Sequence, residues 1–439
     1  MRRDPNVARK ESRVVSIVPS NILHRLQRLR QFVTFDEASA RLAASDRPAA
    51  TPLRPVRRAS AASVRALWSR LREAGGASAA AEAAIADSQA LEAAEVYSRN
   101  IENFIGTVKV PVGVIGPLRI NGLHANGDFF APLATTEAAL VASFARGAEI
   151  VSRAGGASVA LLSEGLLRTP GFVFAGLVEA GAFVDWVAGA AEALKTAAET
   201  TTRWGKLISL EPMIDNDTVF LLCRYTTGDA SGQNMVTIAT EALCRHIEAH
   251  SPIPPRRWYI EANFSGDKKS SYLGLITGRG RKVSASVVLP DALIEKHLRT
   301  SAEAMLDYSR LANLGALLSG QFGAQAHYAN GLAALYIATG QDAACVAESA
   351  VGFTRMERRE GGLFASVTLP NILVGSVGGG TGLPSQSAGL DILGLRGEGK
   401  AAALAEVAGA ICLCGEISIV AAIAAGQFAR AHHNLARLR

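Results

Sequence analysis

Apolar residues recur at helical spacing in two N-terminal stretches, 21–43 and 62–98, separated by a linker that carries Pro48, Pro52 and Pro55. Gly75-Gly76 interrupts the second stretch, and the alanine-rich run Ala77–Ala94 favours helix. The texture then changes. Val108–Leu118 is apolar but punctuated by Pro111, Gly113, Gly116 and Pro117, which predicts an extended, turn-rich segment. Gly122 and Gly127 close a hairpin that leads into Phe129–Ala131. Thr136–Arg153 reads as a helix, with Thr135 or Thr136 as its cap and Glu137 in its first turn.

The stretch 170–263 is the most legible. Strands are expected at Phe172–Val178, Leu207–Ile214, Thr218–Tyr225 and Arg257–Asn263, and helices at Phe183–Arg203 and Asn234–His250. That order, β-α-β-β-α-β, is the one found in ferredoxin-like split units, whose neighbouring ends suit an inserted domain. Beyond it, Tyr272–Thr277 and Lys282–Val288 read as a strand pair across Gly278-Arg279-Gly280. Pro290 opens a helix to about Leu311, helical segments follow around 323–350 and 400–434, and a glycine-rich run, Val374–Gly389, lies between them.

Composition narrows the class. The chain has 439 residues, 49% of them hydrophobic and 19% charged, enough for two domains with cores and unlike a disordered chain. Net charge is +6, but residues 1–72 carry +11 and the remainder −5, so the basic character belongs to an N-terminal arm. That arm lacks the interleaved aromatics of a nucleic-acid stacking platform and reads as a solvated helix face plus linker, with no nucleic-acid partner expected. Val14–Pro19 is too short for a signal-peptide core. Leu311–Gln341 and Gly361–Leu390 lack charges but are broken by polar residues, glycine and proline, so no membrane span is expected and the reading is cytoplasmic. Five cysteines without C-x-x-C spacing point to buried thiols rather than disulfides, and no metal site is expected.

The candidate chemistry is scattered. No G-x-G-x-x-G is present; Gly378-Gly379-Gly380-Thr381-Gly382 comes nearest, followed by Leu383-Pro384 rather than a helix start, and it offers unhindered backbone to a phosphate or flat ring. Glu137, the turn Asp267-Lys268-Lys269, Asp342 and His432 each have an ordinary reading, as a helix-end carboxylate, a surface turn, a cap and a surface histidine. Together they supply a carboxyl, an ammonium, a second carboxylate and an imidazole. Such a set suits thioester reduction: lysine on the developing oxyanion, coupled carboxyls tuning one another, histidine protonating a departing thiolate.

At these residues the chain resembles the 3-hydroxy-3-methylglutaryl-coenzyme A reductase family, in its class I catalytic portion. The matching text is Glu102-Asn103-Phe104-Ile105-Gly106, Val110–Leu118, Ala134-Thr135-Thr136-Glu137, Gly228-Asp229-Ala230 with Gly232 and Asn234-Met235, Asp267-Lys268-Lys269, Gly278-Arg279-Gly280, His327 with Asn330, Gly340–Ala344 and Val377–Thr381, all within about 95–436. The resemblance implies an α+β fold: a large helical substrate domain holding an inserted ferredoxin-like βαββαβ cofactor domain. The expected divisions are an arm at 1–94, the large domain at 95–169 and 261–439, and the small NADPH-binding domain at 170–260. It implies homodimers or dimers of dimers with sites at subunit interfaces, an acyl-CoA substrate, and two-step reduction by NADPH of 3-hydroxy-3-methylglutaryl-CoA to mevalonate and CoA through a hemithioacetal and an aldehyde.

Roles follow by position. Lys268 corresponds to the oxyanion-stabilising lysine, Glu137 to the acid of aldehyde reduction, Asp342 to the aspartate coupling them, and His432 to the histidine that protonates the thiolate. Arg168, Asp267, Lys269 and Asn330 correspond to residues that bind the substrate carboxylate or position its carbonyl, and Ser143 and Arg146 to part of the CoA site. Thr202-Arg203, the turn Asp229, Ala230, Ser231, Gly232, Gln233 and Asn234, and Gly378, Gly379 and Gly380 correspond to cofactor contacts. The chain departs from the pattern at Glu261, where the family has serine, and at Ser309–Asn313, where a substrate-binding lysine is missing. It departs again at Ser231 and Gln233 in a methionine-rich turn, and at Gln427 in place of a tail histidine. Arg310 or Arg168 is expected to compensate in the acyl pocket. A reductase of another acyl thioester and a non-catalytic paralogue are the competing readings.

Overall fold

Capping side chains account for the helix starts in the N-terminal third. In a computed structural model, which describes residues 34–44 and 51–428, Thr34 and Glu37 form a reciprocal capping box on α1 (Phe35–Leu42). Ser60, Ser78 and Asp87 each accept a backbone N–H three residues on, starting α2 (Ala61–Glu73), α3 (Ala79–Ile85) and α4 (Ser88–Glu92), with α5 (Ala94–Tyr97) following. The expected 62–98 stretch is therefore four short helices, broken at Gly75-Gly76 as read and again at Asp87. The chain divides into two compact units at Pro55/Val56. Residues 59–105 have their own small core, in which Val64, Trp68, Ala94 and Phe104 are buried and Trp68 Nε1 donates to the Ile105 carbonyl at 2.8 Å.

Eleven strands among the described residues form one continuous sheet. β1 (Val112–Gly122) and β2 (Asn126–Ala134) are the expected hairpin. β3 (Ala157–Arg168), absent from the sequence reading, joins the two halves of the sheet. Its start runs parallel to β1, its middle pairs antiparallel with β8 (Gly280–Pro290), and its last three residues pair with β6 (Thr218–Thr226). There β4 (Gly171–Val173), β5 (Lys206–Asp215), β6 and β7 (Arg257–Tyr259) lie in the order β7-β4-β6-β5, all neighbours antiparallel. Between them run α7 (Leu177–Glu199) and α8 (Gln233–His250), after α6 (Leu140–Arg153) in the preceding segment. The β-α-β-β-α-β order stands as read, with shorter outer strands.

Four expectations are corrected. Tyr272–Thr277 is a helix, α9, not a strand: Ser271 Oγ accepts the Gly274 N–H at 3.0 Å, a cap that decides an ambiguous apolar hexapeptide. The helix expected from Pro290 is a short turn, α10 (Asp291–Leu293), running into a π-turn at Ile294–Leu298. Arg299, at φ 54°, then breaks the chain before α11 (Ala302–Ser319). After β9 (Gly323–Ala324), α12 (Tyr328–Thr339) and α13 (Val346–Ser349), an unpredicted hairpin forms from β10 (Gly352–Arg359) and β11 (Gly362–Ile372). The part read as a helical domain therefore contains most of the sheet. Finally, Pro384 does open a helix, α14 (Pro384–Leu393), because a proline at the first helical position forgoes only an N–H that has no partner there.

The core centres on α15 (Ala401–Ala424), long and apolar enough to cross a membrane by length and composition but 83% buried within the chain. Its two carboxylates are tethers. Glu406 accepts the N–H groups of His124, Ala125 and Leu161, tying the β1–β2 turn to β3. Glu416 accepts those of Ala326 and His327 and the Thr354 hydroxyl. Against α15 lies α6, whose Gly147 faces the Cys414 carbonyl so closely that a Cβ would collide with it. By contrast Gly189, exposed on α7, has open space around its missing Cβ. Gly147→Ala should destabilise the protein by about 1–3 kcal/mol through overpacking. Gly189→Ala should stabilise it by roughly 0.5–1 kcal/mol through helix propensity. Urea unfolding midpoints of the two variants test this, and equal shifts would mean that the α6–α15 approach does not limit stability.

Candidate active site

The loop after β7 presents Lys268 through strain and a backbone anchor. Lys268 has φ 57°, a left-handed conformation uncommon outside glycine, and its N–H donates to Glu348 Oε1 at 3.2 Å. Glu348 and Arg279 are each 1% exposed and form a buried ion pair. Burial pushes the Glu348 carboxyl above its ordinary range, against the pull of Arg279. The rest of the Arg279 fork reaches Asp267 Oδ1 at 3.2 Å and Gln233 Oε1 at 2.8 Å. Asp267, the residue before Lys268, is thus fixed by a buried guanidinium.

Lys268 Nζ lies 2.8 Å from Asp342 Oδ2, and both side chains are nearly half exposed. Asp342 follows α12, where Gly340 at φ 72° turns the chain and touches the Gly380 backbone so closely that no Cβ fits. The hydrogen bond to Asp342 raises the lysine's pKa. Burial alone would raise the Asp342 carboxyl, but the bonds from Lys268 Nζ and the Ala344 N–H outweigh it and hold the group below its usual value. The pair therefore stays ionised through neutrality.

Arg168, 7% exposed at the end of β3, contacts Glu261 Oε2 at 2.7 Å and Asp267 Oδ2 at 3.3 Å through Nη1, and Gln233 Oε1 at 3.4 Å through Nη2. Gln233 Nε2 donates to Asp267 Oδ1 at 2.9 Å and reaches Cys345 Sγ at 3.6 Å. Burial, with Glu348 and Asp342 nearby, pushes the Cys345 thiol up to about 12. Lys269 turns back onto the Asp267 carbonyl at 2.9 Å. Arg310, the other arginine expected to compensate, is exposed on α11 and pairs with Asp307 at 3.0 Å.

Glu137 lies in a second cluster. It precedes α6 rather than sitting in its first turn, because Thr135 Oγ1 accepts the Glu137 N–H at 3.0 Å and Ala139 takes φ 68° before the helix begins. Asn330 Nδ2 donates to Glu137 Oε1 at 3.4 Å, and the same amide lies 3.5 Å from His327 Nδ1. A cavity of about 300 Å³ opens here, lined by Glu137, Ser143, Arg146, His327, Asn330 and Phe428 among others. At its wall Arg146 Nη2 donates to the Ser418 carbonyl at 2.6 Å, and Ser143 and Ser418 hydroxyls lie 2.9 Å apart. Within one chain Glu137 makes no hydrogen bond or ion pair with Lys268 or Asp342. His432 lies outside the described residues.

The expected cofactor residues fall in three places. Asp229 caps α15, its carboxylate accepting the N–H groups of Gly399 and Ala401 at 2.7 and 3.1 Å, so its side chain is occupied structurally. Its carbonyl receives the Ser376 N–H at 2.9 Å, and Gly375 packs on the backbone of Ala230 and Ser231. Gly232, at φ 83°, opens α8; Gln233 points into the arginine cluster, while Asn234 is exposed. The turn 229–233, the run 374–380 and Asp342 are therefore neighbours, with Gly378 and Gly379 facing open space. Farther along the small sheet, Thr202 Oγ1 accepts the Gly205 N–H at 3.0 Å, and Arg203 is exposed with no carboxylate partner among the described residues.

Arg279, Glu348, Cys345 and His327 carry this geometry without having been assigned roles from the sequence. The signal for two of them was present: Arg279 stands between glycines, and Glu348 is a lone charge in Cys345–Phe353.

The family model for hydroxymethylglutaryl-coenzyme A reductase matches residues 66–437. The 3-hydroxy-3-methylglutaryl-coenzyme A reductase of Methanothermobacter thermautotrophicus is 44% identical over 345 residues, 77% of this chain and 85% of that one. That of Aeropyrum pernix is 43% identical over 80% of this chain and 85% of its own. Among solved structures, the class II 3-hydroxy-3-methylglutaryl-CoA reductase of Streptococcus pneumoniae bound to NADPH superposes with a TM-score of 0.61 at 19% identity, covering 82% of this chain and 96% of that one, a likeness of fold. The chain belongs to the hydroxymethylglutaryl-coenzyme A reductase family.

Proposed function

We propose that the protein reduces 3-hydroxy-3-methylglutaryl-CoA with NADPH, in two hydride steps, to mevalonate and CoA. The observation that carries the reading is the 2.8 Å contact of Lys268 Nζ with Asp342 Oδ2, held on a turn anchored by the Arg279–Glu348 pair. An ionised lysine, half exposed and pre-oriented, is suited to receive the negative charge that grows on a thioester or aldehyde oxygen. Asp342 keeps the ammonium charged and aimed. Glu137, with Asn330 and His327, lines a second cavity, and across a subunit interface its carboxyl can exchange a proton with the same oxygen. The proton for the departing thiolate is assigned to His432.

The cofactor's fit rests on two observations. Gly378 and Gly379 present backbone with open space where side chains would stand, beside the turn 229–233. Arg203 is an unspent cation suited to a 2′-phosphate. When bound, NADPH supplies the hydride. The division proposed is a large unit for the acyl-CoA and a ferredoxin-like insert, 170–260, for the nucleotide, with a homodimer or dimer of dimers bringing Glu137 of one chain toward Lys268 of another. The alternative, a reductase of another acyl thioester, draws on one feature of the pocket: Arg168 is already occupied by Glu261.

NADPH oxidation against a panel of acyl-CoA thioesters tests the assignment, and absence of turnover with every member would defeat it. Lys268→Ala should lower kcat by about a hundredfold or more, with the melting temperature little altered because both partners of the ion pair are exposed. Arg203→Ala should raise KM for NADPH about tenfold and leave that for NADH alone; parallel changes for both cofactors would remove Arg203 from phosphate recognition. His432→Gln should impair thioester reduction while sparing reduction of the free aldehyde, and equal losses in the two assays would count against its role.

A further inference from the structure

We infer that Glu261 is a specificity-determining residue: an internal carboxylate that occupies Arg168 and competes with the terminal carboxylate of an acyl substrate for it. The inference rests on the acyl-CoA reductase reading and deepens it. Arg168 is the cation beside the Lys268 turn whose fork suits a planar carboxylate. Its Nη1 is shared between Glu261 Oε2 at 2.7 Å and Asp267 Oδ2 at 3.3 Å, with Glu261 the nearer. Its Nε is buried without a partner among the described residues, so that edge of the fork is closed to solvent. At 27% and 21% exposure, Glu261 and Asp267 are the solvent-facing carboxylates on a guanidinium that is itself 7% exposed.

The carboxylate of Glu261 is built into place rather than loosely adjacent. Its Oε1 accepts the Asn263 N–H at 2.8 Å, and its Oε2 accepts the Ser265 hydroxyl at 2.8 Å as well as Arg168. The turn that supplies these donors uses Asn263 at φ 63° and leads directly into Asp267-Lys268. Gln233 closes the other side of the guanidinium with its amide oxygen, which is shared with Arg279. Asp267 is divided among Arg168, Arg279 and Gln233, so it is the less free of the two carboxylates to leave. A substrate carboxylate reaching Arg168 must therefore displace Glu261 or sit beside it against like-charge repulsion. A thioester whose acyl chain ends in a neutral group pays no such penalty.

The test uses the full-length enzyme and the variants Glu261→Gln, Glu261→Ser and Glu261→Asp. KM and kcat are measured for 3-hydroxy-3-methylglutaryl-CoA and for butyryl-CoA, and the dissociation constant of free 3-hydroxy-3-methylglutarate by calorimetry. Removing the charge should tighten the diacid and lower KM for its thioester about fivefold, the upper value for one partly exposed ion pair. The change should fall on KM rather than kcat and be absent with butyryl-CoA. Glu261→Asp, which keeps the charge, should stay near the wild-type KM, which separates charge from packing. An unchanged or raised KM and diacid dissociation constant in Glu261→Gln overturns the inference, as does an equal gain with butyryl-CoA. Tighter diacid binding by Glu261→Gln in an enzyme that reduces neither thioester supports the inference and defeats the functional reading, so the two fail separately.

Discussion

The candidate site depends on one buried ion pair. Arg279 and Glu348 lie almost fully out of water, and leaving either alone there would cost roughly 3–5 kcal/mol, far more than an exposed pair contributes. Their use is geometric. Glu348 spends one oxygen on the Lys268 N–H and so helps hold a left-handed residue in a loop that would otherwise relax. Arg279 directs Nη2 to Asp267 and Gln233, so the residue before Lys268 and the first residue of α8 hang from the same guanidinium. A lysine on a flexible stem acquires a fixed root, and its ammonium then needs only Asp342 to be aimed.

The same logic recurs in α15, where a nearly all-apolar helix carries two carboxylates at positions with no water. Each is satisfied by backbone N–H groups from segments distant in sequence, which is the condition for tolerating a buried charge. The helix thereby acts as a register pin. Glu406 sets where the β1–β2 turn meets β3, and Glu416 sets the start of α12, hence where His327 and Asn330 face Glu137 and where, twelve residues on, Asp342 emerges. Asp229 adds a third fastening by capping α15, which ties the turn before α8 to the helix on which the large unit is built.

The sequence was most legible where one period dominates. The β-α-β-β-α-β stretch could be read because amphipathic helices of 18 and 23 residues alternate with strands ended by turn residues such as Asn216, at φ 53°. It failed where the deciding interaction is tertiary or is a single side chain. β11, buried along nearly its whole length, reads as a charge-free apolar run, and only its pairing with β8 and β10 makes it a strand. Tyr272–Thr277 was settled by one serine hydroxyl. The resemblance picked out Lys268 and Asp342, which the fold brings to 2.8 Å, but Arg279 and Glu348, 69 positions apart, announce no partnership until the chain is folded.

Charge balance ties these parts to chemistry. Around the turn stand Arg168, Lys268, Lys269 and Arg279 against Glu261, Asp267, Asp342 and Glu348; each cation has a carboxylate within hydrogen-bonding reach except Lys269, whose ammonium lies on the Asp267 backbone carbonyl. The two arginines are sealed in the interior, where their charge is committed to holding the loop. Lys268 differs in being nearly half exposed and in sharing its charge with a carboxylate that is itself nearly half exposed. An incoming oxygen that develops negative charge can therefore join that pair without stripping a buried one, and the field it meets is already in place before it arrives. The arrangement makes Lys268 the responsive cation of the cluster, while Arg168 is already held by Glu261 and Asp267.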